Sequence, residues 1–138
     1  MLALRTNDIA ALMAKGDVTV AEVEKAAIDY KREKVDPVSG KDASAAYAML
    51  CQTHRLGAEG GASVTYVTRQ FAEDCIEDGL TPHLLRLGCK KWRRKDTAFA
   101  PTYGQFIAEI KSEISNKHYS AQRYQELQAL IQVGRENV

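Results

Sequence analysis

The sequence has 138 residues, 45% of them hydrophobic, and its 19 Lys plus Arg against 18 Asp plus Glu give a formal charge of +1. That length and apolar content suit one domain with a real core, and the charge balance excludes a chain that binds DNA or RNA as a polyelectrolyte, so nucleic-acid affinity would have to come from a local patch. Cys51, Cys75 and Cys89 are odd in number, far apart and outside any CxxC spacing, which excludes a zinc knuckle or a disulfide scaffold and suits small buried hydrophobes in a reducing cytoplasm.

The opening MLALRTNDIAALMAKGD lacks a basic segment followed by a long apolar run and a small-residue cleavage site, so the chain is expected to be unprocessed. No stretch approaches the roughly 20 apolar residues needed to cross a bilayer. The expectation is a soluble, cytoplasmic protein with no membrane partner.

In chain order, Ile9, Leu12 and Met13 recur at helical spacing from about Asn7 and Asp8, and Gly16 closes this first helix. Thr19 and Glu22 have the form of a capping box, which predicts a helix from Val20 to about Lys34. Asp36-Pro37-Val38-Ser39-Gly40 is a turn. Asp42 or Ser44 is then the expected cap of a helix with Tyr47, Leu50, Cys51 and His54 on one side. A flexible glycine loop spans about 57–62, and Ser63 is placed to cap a helix whose Val64, Val67, Phe71 and Cys75 form one apolar face.

Gly79 ends that helix, and Thr81-Pro82 starts the next, with Leu84, Leu85, Cys89 and Trp92 along it. After Pro101, Thr102 caps a helix bearing Phe106, Ile107, Ile110 and Ile114. A last helix from about Ser120 to Val133 presents Tyr124, Leu127 and Ile131. Strand-like alternation comes closest at Ala62 to Thr68 and is too short to compete. The fold predicted is all-α, a compact single-domain bundle of six to seven helices.

Chemistry-bearing patterns are scarce. His54, His83 and His118 are expected on three separate helices, with no HExxH or close-set partner, so no metal site is expected. The glycine-rich 57–61 lacks a following Gly-Lys-Ser/Thr, and Gly40-Lys41-Asp42 lacks the hydroxyl, so no phosphate-binding loop is expected either. No catalytic or cofactor-binding residue is assigned, and the chain is expected not to be an enzyme. Glu73, Asp74, Glu77 and Asp78 gather at a helix C-terminus, where carboxylates face the negative end of the dipole.

The stretch CKKWRRKDTAFAPT stands apart. Lys90, Lys91, Arg93, Arg94 and Lys95 surround the chain's only tryptophan. At about 100° per residue, Leu85, Cys89 and Trp92 share one side of the helix and Lys90, Lys91 and Arg94 spread around the other, so Trp92 belongs to the core. Cations at a helix C-terminus complement the dipole at roughly 0.3–1 kcal/mol each, but five of them exceed what capping needs. Three readings stay open: a solvated helix end, a phosphate contact, or a docking surface for an acidic protein.

The run Leu84-Leu85, Cys89, Trp92-Arg93-Arg94, Phe99, Pro101-Thr102, Phe106-Ile107 resembles a pattern in phage replication proteins of the lambda protein P type and related helicase loaders. In those proteins a helix ends in Trp-Arg-Arg, a Phe-x-Pro linker follows and another helix begins. The resemblance spans Leu84 to Ile107 most closely and Tyr47 to Ile114 loosely. It implies Trp92, Phe99, Pro101 and Thr102 as a structural hinge, with Trp92 and Phe99 packed together. It also implies a non-enzymatic partner of a replicative helicase or its loader in a bacterial host cell. The chain is short for a loader and shows no ATPase domain, so loading, inhibition and simple binding all stay open. The alternative is a small helical nucleic-acid-binding protein using residues 90–95.

Overall fold

A computed structural model describes residues 3–55 and 64–137. The predicted glycine loop at 57–62 and the Ser63 cap lie outside the described residues. The fold is all-α. Among the described residues the helices are α1 (Thr6–Lys15), α2 (Val20–Lys34), α3 (Gly40–Thr53), α4 (Val64–Glu77), α5 (Pro82–Arg93), α6 (Tyr103–Glu109), α7 (Lys111–Ile114) and α8 (Lys117–Glu136). The one extended pairing among them is an isolated parallel bridge between Arg55 and Phe99. Residues 64–68, strand-like in sequence, lie within α4.

Two compact units result, one from Met1–Val35 with Asn116–Val138 and the other from Asp36–Ser115. The first holds α1, α2 and α8 around Ile9, Val23, Ala27, Tyr30, Leu127 and Ile131. Thr19 forms the predicted reciprocal capping box with Glu22, and Gly16 takes φ 78° to close α1. The last helix outruns its expected limits at both ends. Arg123, on its buried face, satisfies its guanidinium with the Thr6 hydroxyl and the Leu4 carbonyl, as a buried cation requires.

The second unit carries the larger core, from Val38 on the turn through Tyr47, Leu50, Phe71, Cys75, Leu84, Leu85, Trp92, Phe106 and Ile110. Four local expectations are corrected in it. The cap of α3 is Ser39, whose hydroxyl accepts from the Asp42 amide at 3.1 Å, not Asp42 or Ser44; Ser39 has the extended backbone of an N-cap, and the helix begins one residue later at Gly40. The α3 helix ends at Thr53, so His54 is its C-cap rather than a member of its face. Val64 is exposed, and the buried face of α4 is carried by Phe71, Ala72 and Cys75. The helix after Thr102 is broken at Ile110, whose amide donates to Ile107 in a tighter turn while its side chain is fully buried.

Four rings organise this core. Tyr47 stacks on Phe71 with centroids 4.5 Å apart, and Phe106 meets Phe71 edge-on at 5.0 Å, as does Tyr103 at 5.7 Å. The Phe106 ring lies so close to α5 that a Cβ at Gly88 would fall 2.2 Å from its Cζ atom. Glycine is therefore demanded there by the approach of a ring, not by a turn.

The linker 95–101 is fastened from beneath. The Trp92 indole N–H donates to the Phe99 carbonyl at 3.0 Å, the Tyr47 hydroxyl donates to the Pro101 carbonyl at 2.7 Å, and the Arg55 backbone bonds Ala98 and Ala100 at 2.7 and 2.6 Å. Trp92 is 5% exposed, whereas Phe99 is 48% exposed. The indole thus meets the Phe99 backbone through a hydrogen bond. Thr102 then caps α6 in a reciprocal box with Gln105.

Two substitutions test this arrangement by chemical denaturation. Trp92→Ala should cost about 3–5 kcal/mol, as large aromatic truncations in cores do; an unchanged midpoint would mean that the indole is not core. Gly88→Ala sets a helix-propensity gain of about 1 kcal/mol against about 1–3 kcal/mol for overpacking a well-filled core. Because the ring that blocks the new methyl is fully buried, the clash should win and the variant should be less stable.

Candidate functional site

Buried thiols and scattered histidines supply little chemistry. Burial pushes the Cys75 thiol up to about 12 and raises Cys51 and Cys89 as well, the nearby Arg93 guanidinium opposing the rise at Cys89. Thiols held protonated in this way are poor nucleophiles and ligands. His54 follows α3, His83 lies on α5 and His118 on α8. Among the described residues no three His, Cys, Asp or Glu side chains gather closely enough to hold a metal ion.

The acidic group at the end of α4 is partly spent on structure. Asp78 accepts a 2.6 Å hydrogen bond from the Tyr103 hydroxyl, and burial, followed by that bond, raises the Tyr103 pKa. The bond ties the start of α6 to the end of α4.

The basic stretch divides in two. Lys91 reaches across to α6 and α7, donating to the Glu109 carbonyl at 3.1 Å and pairing with the Glu113 carboxylate at 2.9 Å. Lys95 pairs with the Glu109 carboxylate, and its ammonium lies 4.9 Å from the Trp92 ring centroid. Lys90, Arg93 and Arg94 are exposed and make no ion pair among the described residues. Five cations in sequence thus become two that hold helices together and three that face outward.

Two of the outward three have a further role. Lys90 and Arg93, with Arg86, line one side of an open groove of about 660 Å³ between α3 and α5. The spacing 86, 90, 93 places these cations in one row along α5. Opposite them α3 contributes Ala46, Met49 and Thr53, with Leu50, Leu85 and Cys89 among the other lining residues. Met49 is 62% exposed, so an apolar surface meets solvent beside a line of positive charge. Asp42 is the carboxylate in the lining.

Sequence reasoning identified the cations but not the groove. The i, i+4, i+7 spacing of Arg86, Lys90 and Arg93 was a signal available for the row, whereas nothing local marked Met49 as its counterpart on α3. Glu109 and Glu113 were also missed, since pairing across 14 and 22 positions depends on how the linker turns. Of the structural quartet, Trp92, Pro101 and Thr102 converge on the linker through the hydrogen bonds already given, and Phe99 joins through its carbonyl.

No protein-family model, curated protein sequence or solved structure matches the chain.

The Lys91–Glu113 pair makes a pH-dependent contribution whose sign follows from geometry. The hydrogen bond from Lys91, then that from Ser112, holds the Glu113 carboxyl below its ordinary value. Its stabilisation is therefore complete above the ordinary carboxylate pKa and lost as pH falls through the depressed one. Glu113→Gln should cost about 0.2–1 kcal/mol near neutral pH, the scale of an exposed pair. Denaturation midpoints of wild type and variant should converge in acid; a difference that persists there would assign the effect to something other than this charge.

Proposed function

We propose that this chain is a non-enzymatic protein that works by binding another protein through the α3–α5 groove of its second unit. On the strength of the resemblance over Leu84 to Ile107, that partner is a replicative helicase or its loader in a bacterial cell, which the chain loads or inhibits. The observation that carries the binding reading is the division of the basic stretch. Lys91 and Lys95 are engaged by glutamates, while Lys90 and Arg93 edge a surface that is largely apolar. A track for a phosphate backbone needs a run of uncommitted cations, and a single-strand site adds aromatic platforms; among the described residues the groove lining holds His83 but no Phe, Tyr or Trp. Apolar surface beside charge is the composition of a protein-docking site.

Nucleic-acid binding through residues 90–95 is the second reading, favoured by Lys90, Arg93 and Arg94 all facing outward. The two readings separate on affinity purification from a bacterial host followed by mass spectrometry, with two double variants alongside wild type. Wild type and Lys91→Gln/Lys95→Gln should both recover a helicase or loader, and Lys90→Glu/Arg93→Glu should lose it while keeping its helical content. Recovery of many DNA-associated proteins that vanishes on nuclease treatment, together with a gel shift that weakens steeply with salt, would instead establish the nucleic-acid reading.

A further inference from the structure

We infer that the occupant of the α3–α5 groove is an acidic amphipathic helix of the partner protein, laid along the groove with its apolar face down and its carboxylates against α5. The inference rests on the protein-binding reading and adds the chemistry of what is bound. Three features of the groove combine to specify it.

The first is shape. Two helices in contact leave between their ridges a furrow into which a third helix packs, and this furrow is lined at helical spacing on both walls, by Ala46, Met49 and Thr53 on α3 and by Arg86, Lys90 and Arg93 on α5. A volume of about 660 Å³ would also suit a small molecule, but such sites use polar groups that converge on a point. Here the cations run in a line. Lys90 and Arg93 stand three residues apart, about one helical turn, and so match acidic side chains three or four residues apart on a facing helix.

The second is the apolar surface. Leu50, Leu85 and Cys89 lie among the lining residues, and Met49 stands 62% exposed beside them. Methionine adapts its shape to an incoming apolar side chain and is favoured where helices dock into grooves.

The third is charge. Lys90 and Arg93 are exposed and unpaired among the described residues, and against them the lining sets the single carboxylate of Asp42. The surplus is positive along one edge only. A helix with glutamates or aspartates along one flank satisfies that edge, whereas a basic helix is repelled and a neutral one leaves Lys90 and Arg93 without ion-pair partners.

Selection from a displayed library of random peptides, about four helical turns long, tests this without presupposing the partner. Full-length protein serves as bait beside Met49→Lys and Lys90→Glu/Arg93→Glu, two variants whose altered side chains are exposed and should leave the fold intact, as circular dichroism would verify. Wild type should enrich sequences with apolar residues at i, i+3, i+4 and i+7 and carboxylates on one flank. Met49→Lys should bind these at least tenfold more weakly, and the double reversal should lose them and enrich lysine-flanked sequences instead. Enrichment of neutral, basic or aperiodic peptides, no enrichment, or the same set from all three baits would overturn the inference. Recovery of a helicase or loader by the double-reversed protein would also overturn it while leaving the protein-binding reading in place through another surface. Loss of peptide binding to a single-stranded oligonucleotide competitor that itself shifts the wild-type protein would overturn both.

Discussion

The backbone of residues 98–101 crosses the second unit where its carbonyls need protein donors, and how those donors are supplied sets the rest of that unit. Two come from side chains buried for other reasons. The Trp92 indole and the Tyr47 phenol each bring a large apolar surface into the core and point one polar atom at the linker, to Phe99 and Pro101 respectively. Burial pushes the Tyr47 pKa up to about 12, so its proton is held where the Pro101 carbonyl needs it. Buried polar groups left unmatched would cost about 1–3 kcal/mol each, a large part of the stability of a small domain. With the linker so held, Thr102 comes to the point where α6 begins.

Fixing the start of α6 decides the electrostatics of the basic stretch. Glu109 and Glu113 lie about two and about three turns along from Thr102, on the helices that the linker turns back toward α5, and they meet Lys95 and Lys91. The same turn brings Phe106 against Gly88, so ring and carboxylates approach α5 together. A cluster that repels itself in sequence is thereby relieved on one side and left unrelieved on the other, where Lys90 and Arg93 border the groove.

Much of this fold was legible because its signals are local. Thr19, Thr81 and Thr102 were recognisable as caps, and each accepts the amide three residues on. Leu85, Cys89 and Trp92 share a face through helix geometry alone, and all three are buried. Ser39 was missed although Ser39-Gly-Lys-Asp42 has the spacing of a cap, because Gly40 reads as the end of a turn and is instead the first residue of α3. Arg123 could not be found from pattern, since it occupies an apolar position on α8 and is rescued by Thr6 and Leu4, more than a hundred residues away. The groove was illegible for a related reason. Its two walls come from helices separated by the whole of α4, and periodicity describes a face without saying what lies opposite.

The Trp-Arg-Arg and Phe-x-Pro run therefore joins two tasks that the structure lets apart. Trp92, the Phe99 carbonyl, Pro101 and Thr102 are spent on holding α5 to α6, and a residue committed to a core hydrogen bond has little freedom to recognise a partner. Arg93 is held by nothing comparable and reaches solvent beside the groove. Its place there nonetheless depends on Trp92, because α5 is oriented by the indole that anchors its last turn. Loss of the tryptophan would thus move the row of cations relative to Met49, whereas loss of Arg93 would remove a charge from a row whose position is unchanged. The geometry thus falls to Trp92, Phe99, Pro101 and Thr102, and the exposed charge beside the groove to Arg93.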